Sequence, residues 1–155
     1  MDRYQFTIPL PPKGKGRGRA VRVGASVRVV TPSATRTYEA TVADMAASAI
    51  DRVIECPVEV EIVAVFARPK RLAMVYKKTG QPKHDTGRIH CPQIPDADNI
   101  AKCLLDGMRA VWRDDRQVVR LKVCKVYASM SQDEAGRWSC EPAKVEVVVT
   151  TLDGG

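Results

Sequence analysis

The chain has 155 residues, of which 45% are hydrophobic and 28% charged, with a formal net charge of +7. That length fits one domain with a modest core, and no apolar run approaches membrane-spanning length. The basic excess favours a polyanionic partner.

The N-terminus has no apolar stretch of the kind a secretory signal needs. Five cysteines, Cys56, Cys91, Cys103, Cys124 and Cys140, include no CxxC pair. An odd count without that spacing argues against a disulfide framework or a zinc site. Reduced thiols in a cytoplasmic protein with no membrane association are the expectation, with Cys103 and Cys124 in the core.

In chain order, Tyr4, Phe6, Ile8 and Leu10 alternate with polar or small residues and predict a strand. Pro9, Pro11 and Pro12 confine it to a sheet edge or end it. Residues 13–20 are glycine-rich, cationic and expected to be a flexible loop. The valines of residues 21–30 predict a hairpin arm interrupted at Gly24. Tyr38, Val42, Met45, Ala46, Ala49 and Val53 recur at helical spacing and predict a core-facing helix over 37–54, capped by Thr37. Val58 to Phe66 reads as a central strand.

Residues 68–94 are rich in proline and glycine and predict a second flexible basic loop. Residues 1–36 carry eight Lys or Arg against one acid, and residues 68–90 carry seven against one. Residues 98–112 predict a second helix with Ile100, Leu104, Met108 and Val111 on one face. Val118 to Val126 predicts a strand. Asp133-Glu134-Ala135-Gly136 predicts a turn, and Lys144–Thr151 a last strand. The order implies a single α+β domain over 1–155, a mixed sheet packed with two main helices.

Against this basic background stands an acidic cluster. Asp96 and Asp98 are two residues apart just before a helix, so in extended backbone both carboxylates point into one space. Like charges so placed repel unless a cation lies between them, and a hard divalent cation suits two aspartates. The plainer reading makes Asp98 or Asn99 a helix cap and Asp96 a solvated turn residue. Asp98, Lys102 and Asp106 fall on one helix face at spacings of four. They form either a surface ion-pair ladder or a lysine poised beside a phosphate. Asp114-Asp115 follows where the helix should end, a place the helix dipole disfavours for acids. Turn formation or metal binding would account for them, and a chain return there could bring Asp115 beside Asp96 and Asp98. Positive surface for a phosphate backbone, with carboxylates for a metal, is the combination a nuclease needs.

The run Pro95-Asp96-Ala97-Asp98-Asn99-Ile100-Ala101-Lys102-Cys103-Leu104-Leu105-Asp106-Gly107, followed by Val111-Trp112-Arg113-Asp114-Asp115-Arg116-Gln117-Val118-Val119, resembles RusA-type Holliday junction resolvases. The opening Phe6-Thr7-Ile8-Pro9-Leu10-Pro11-Pro12 is similar too, and a lysine in the strand after the Asp-Asp pair falls on Lys125. The resemblance implies a RusA-like fold and a homodimeric, metal-dependent endonuclease. Such an enzyme uses Mg²⁺ or Mn²⁺ to cut four-way DNA junctions with paired nicks, in recombination and repair. By position it implies that Asp96, Asp98 and Asp115 are catalytic and bind the metal, and that Lys102 is the essential lysine. Asp114 and Asp106 match acidic positions of auxiliary role, and His90 is either an auxiliary phosphate contact or a solvated loop histidine.

Lys13, Lys15, Arg17, Arg19, Arg68, Lys70, Arg71, Lys77, Lys78 and Lys125 are the expected DNA-binding set. Gly107 departs from the more usual alanine, and the two basic segments are longer than a minimal member needs. A nuclease for flaps or forks, or a non-catalytic basic DNA-binding module, shares much of this pattern.

Overall fold

A computed structural model describes residues 1–152. Its strands and helices run β1 (Arg3–Ile8), β2 (Arg19–Val23), β3 (Ser26–Val30), α1 (Ser33–Ala49), β4 (Val58–Phe66), β5 (Ile89–His90), α2 (Ala97–Gly107), β6 (Val118–Tyr127), β7 (Met130–Gln132), β8 (Trp138–Cys140) and β9 (Lys144–Thr151). Five strands form one mixed sheet in the order β1-β9-β4-β6-β5, and β2-β3 and β7-β8 are separate two-stranded ribbons. The α+β reading, with a mixed sheet and two main helices, holds.

Alternation in β4 explains its central place. Val58, Val60, Ile62 and Ala64 are buried, and β4 pairs parallel to β6 and antiparallel to β9. Glu59 and Glu61 turn to the other face, where Arg120 and Lys122 of β6 meet them at 3.3 and 3.4 Å. One face of the sheet therefore holds the helices and the main core; the other is charged where β4 and β6 begin and carries a second small buried cluster, Val65, Val126 and Ala128, toward their ends. The prolines after β1 do what was expected, leaving it on the edge, paired only with β9.

Both helices differ from the predicted spans. α1 begins at Ser33, with Pro32 at its N-cap, and ends at Ala49. Thr37 lies inside it and donates to the Ser33 carbonyl at 3.1 Å rather than capping. Tyr38, Val42 and Ala46 are buried as the periodicity required, whereas Val53 is exposed beyond the helix end. α2 stops at Gly107, five residues short, because the chain turns at Met108 and the Val111 amide bonds the Met108 carbonyl. Met108 and Val111 are still buried, since the turn keeps them against the same core.

Gly107 is where the helices meet most closely. A Cβ there would lie 2.8 Å from the Val42 Cβ and 3.1 Å from the Glu39 carbonyl oxygen. Glycine fits there because α1 occupies the space a side chain would need.

The glycines of residues 13–18 are explained by contact, not by freedom. A Cβ on Gly14 would stand 2.6 Å from Asn99 Nδ2, and one on Gly16 2.5 Å from Thr35 Oγ1. The Lys15 amide bonds the Asn99 carbonyl at 3.2 Å, so this segment is strapped across the start of α2. Gly24 does not interrupt the hairpin but makes its turn. Its φ of +62° suits the first central position of a tight two-residue turn. Gly136, at φ +80°, serves the predicted 133–136 turn, which joins the unpredicted ribbon β7-β8.

Candidate nuclease site

Residues 95–98 carry the chain from β5 into α2. Asp96 occupies the N-cap position, yet its carboxylate makes no capping bond. Asp98 sits in the first turn, and Lys102 follows one turn later. All three are exposed. Among the described residues their side chains have no hydrogen bond or ion pair. The cap reading fails for Asp98 and Asn99, which lie inside the helix, and holds for Asp96 as a solvated residue; the ladder reading fails because Lys102 has no ion-pair partner among the described residues. Asp106 is committed elsewhere, to Lys15 at 2.6 Å and Arg109 at 3.1 Å. The acidic end of α2 therefore carries free charge, while its other end is neutralised.

An open groove of about 530 Å³ lies beside Asp96, lined by Pro12, Lys13, Gly14, Ile94, Pro95 and Asn99. Lys125 approaches the same loop from β6: its ammonium donates to the Gln93 carbonyl and stands 5.8 Å from the centre of the Phe66 ring. It anchors the strand of chain that delivers Asp96. Gln93 went unnoticed in the sequence because it acts through its main-chain carbonyl, which leaves no signature in residue type.

Asp115 lies elsewhere. It opens a short 3₁₀ turn, Asp115–Gln117, that feeds β6. Asp114 caps that turn, accepting from the Arg116 amide at 2.8 Å, while the Gln117 side chain accepts from the Asp114 amide at 2.9 Å. These acids thus stand at the start of a turn and not at the end of α2, which removes the unfavourable dipole contact. Asp115 accepts a bond from the indole of buried Trp112 at 3.1 Å. Gln117 ties the turn to the Ile54 and Cys56 carbonyls at 3.0 and 2.9 Å. That is the end of the sheet where β4 and β6 begin, whereas β5 and the Asp96 loop meet β6 at its far end, Val126 and Tyr127. The length of α2, about 16 Å, separates the two ends. Among the described residues no group of three or more His, Cys, Asp or Glu gathers closely enough to hold a metal ion. The structure brings Asp96, Asp98 and Lys102 to one end and leaves Asp115 at the other.

The expected DNA-binding residues divide as well. Lys13, Arg17, Arg19, Lys70, Arg71, Lys77 and Lys78 have no carboxylate partner among the described residues, and His90 is exposed. Arg68 is 8% exposed and its guanidinium bonds the carbonyls of Leu72 (2.9 Å), Gly87 (2.9 Å), Ala128 (3.1 Å) and Asp85. It is a structural pin, not a phosphate contact. Lys15 is held by Glu39 at 2.5 Å and Asp106 at 2.6 Å. Burial works to lower its pKa, but the two carboxylates outweigh that and raise it. Burial likewise pushes Asp106 up, and Lys15 and then Arg109 bring it below the ordinary range. Burial pushes the Cys103 thiol up to about 11, so it stays protonated in the core as expected.

No helix among the described residues is long and apolar enough to cross a membrane. The chain is 29% identical over 130 residues to the uncharacterized protein YqaN of Bacillus subtilis (strain 168), covering 83% of this chain and 90% of that protein. A family model described as endodeoxyribonuclease RusA matches residues 9–132, which include the Asp96-Asp98-Lys102 end of α2, the Asp114-Asp115 turn and β6. With four-fifths of its length matched, the chain belongs to the RusA endodeoxyribonuclease family.

Proposed function

We propose that this protein is a homodimeric, divalent-metal-dependent endonuclease that resolves four-way DNA junctions by paired nicks in recombination and repair. The observation that carries the reading is the set of unpartnered charges at the start of α2. Two carboxylates and a lysine are left without protein partners, with Asp96 lining an open groove. Free acids on a DNA-facing surface weaken binding unless a cation joins them.

Asp96 and Asp98 fit a hard divalent cation such as Mg²⁺ or Mn²⁺ as oxygen donors. Bound there, the ion would supply Lewis-acid activation of the phosphodiester and of water. Lys102 offsets charge that develops on the phosphate. Lys125 keeps the loop of Asp96 in place through the Gln93 carbonyl.

Asp115 fits this set only as a contribution from a second copy, since the length of α2 keeps it from its own Asp96. The first half of β6 favours such a partner. It lacks a neighbouring strand on the β5 side, and Val119 and Leu121 are exposed there. Antiparallel pairing of that edge with the same edge of a second copy would run the Asp115 end of one protomer toward the Asp96 end of the other.

The test is cleavage of a synthetic four-way junction with Mg²⁺. Asp98→Asn should abolish cutting while junction binding persists; cutting at the normal rate would refute the metal assignment. Mixing Asp98→Asn with Asp115→Asn protomers should restore one nick, because one of the two shared sites is then intact. No restoration would refute the shared site. A panel of flaps and forks separates junction resolution from cutting of other branched DNA.

A further inference from the structure

The ribbon β2-β3 stands apart from the body. All ten of its strand residues are exposed, the strands pair with each other over the full register from Arg19↔Val30 to Val23↔Ser26, and no other element packs substantially on either. Val27 and Val29 are 69% and 77% exposed. A lone hairpin with that much bare apolar surface is marginal in water, so it calls for an occupant.

Its charge says which. Arg19, Arg22 and Arg28 project from the ribbon, Arg17 and Arg36 flank its base, and no acid occurs from Arg3 to Tyr38. None of these five arginines has an ion-pair partner among the described residues, whereas Arg52, Arg88, Arg109, Arg113, Arg116, Arg120 and Arg137 of the body are all paired to carboxylates. A groove of about 400 Å³ at the base, lined by Arg19, Val21, Val30 and Arg36, continues the basic surface onto the start of α1. A polyanion would neutralise these arginines.

We propose that the β2-β3 hairpin is a DNA-gripping arm that enters the major groove of one duplex arm of the substrate. A two-stranded ribbon is the shape that groove admits. The alternation of the ribbon puts Arg22 on one face and Arg19 and Arg28 on the other, so guanidinium groups reach the phosphates on both walls while the valines fill the groove. The Gly24 turn gives a narrow tip. This inference rests on the nuclease reading but concerns a different part of the molecule.

The experiment uses the full chain and its Arg22→Ala/Arg28→Ala variant, with catalysis suppressed by omitting divalent metal. Binding to a four-way junction and to a plain duplex is followed by fluorescence anisotropy across salt concentrations. Protection of guanine N7 from dimethyl sulfate reports major-groove occupancy. The variant should bind about tenfold or more weakly, the slope of log K against log salt should shrink by about 2, and the N7 protection should disappear. Both substitutions are on exposed positions, so an unchanged thermal melting curve establishes that the variant is folded. A folded variant with unchanged affinity, salt slope and footprint overturns the arm. So does a variant that keeps its DNA affinity but changes oligomeric state, which would make the hairpin a contact between copies. A wild-type chain that binds no DNA refutes the nuclease reading itself and is distinct from either result.

Discussion

The two basic segments, 13–36 and 68–94, are alike in composition and opposite in use. Both carry a large excess of Lys and Arg over Asp and Glu. In the second, Arg68 and Arg88 are structural, while Lys70, Arg71, Lys77 and Lys78 have no carboxylate partner among the described residues. Arg68 gathers four carbonyls, and Arg88 forks onto Glu141 at 2.8 and 3.0 Å and onto Glu146 at 2.7 and 3.1 Å. In the first, only Lys15 is committed, and the arginines from Arg17 to Arg36 stand free in the described residues. The difference is the presence of a protein acceptor within reach. A basic residue counts toward nucleic-acid binding only if nothing in the fold has already neutralised it.

Substitutions can break that comparison. The largest stability effect should come from Arg68→Ala, which strips the partner from four carbonyls and should cost about 3 kcal/mol in urea unfolding. Lysine should not rescue it, because a point charge cannot bridge diverging acceptors as a guanidinium does. If Arg68→Ala weakened DNA binding and left stability intact, the two segments would be equivalent after all.

Next is Arg88→Ala, at about 1–2 kcal/mol near neutral pH. Its effect should fade in acid. Arg88 is the main cause that holds the Glu141 carboxyl well below the usual range, against burial, with Ser129 and Lys144 assisting. Arg88 also lowers Glu146. A depressed folded pKa means stability that is present above the unfolded value of about 4.3 and lost as pH falls below it. Wild type should therefore lose stability below that pH, and Arg88→Ala or Glu141→Gln should lose less. Parallel acid limits in all three proteins would refute the linkage.

The smallest effect sharpens the comparison within the first segment. Lys15→Ala should cost about 1 kcal/mol, because Glu39 then loses its cation and Asp106 keeps only the exposed Arg109. Its DNA affinity should barely change. Arg22→Ala/Arg28→Ala should do the reverse, leaving stability alone and weakening DNA binding.

The strands were legible because alternation of Val and Ile against Glu is a local signal. Val58–Phe66 was read to its ends, and Lys144–Thr151 likewise. Helix ends were less legible. Thr37 looked like a cap but lies inside α1, and the buried Met108 and Val111 mimicked helix periodicity from a turn. The glycines of residues 14–18 looked like slack, yet what fixes them is contact with Asn99, Thr35 and Val29, which come from distant parts of the chain.

For the candidate site, the chain order of Asp96, Asp98, Lys102 and Asp115 determined which residues carry charge and which share a helix face. It determined the family as well, since the motif is contiguous. Three things were decided only in three dimensions: that Asp96 forgoes its cap bond, that Lys102 pairs with neither Asp98 nor Asp106, and that Asp115 stands where β6 begins, at the opposite end from Asp96. Each depends on where a side chain's partners lie, and those partners come from segments that only folding brings near. Residue type sets what a group can bind, and the packed chain sets what it has already bound.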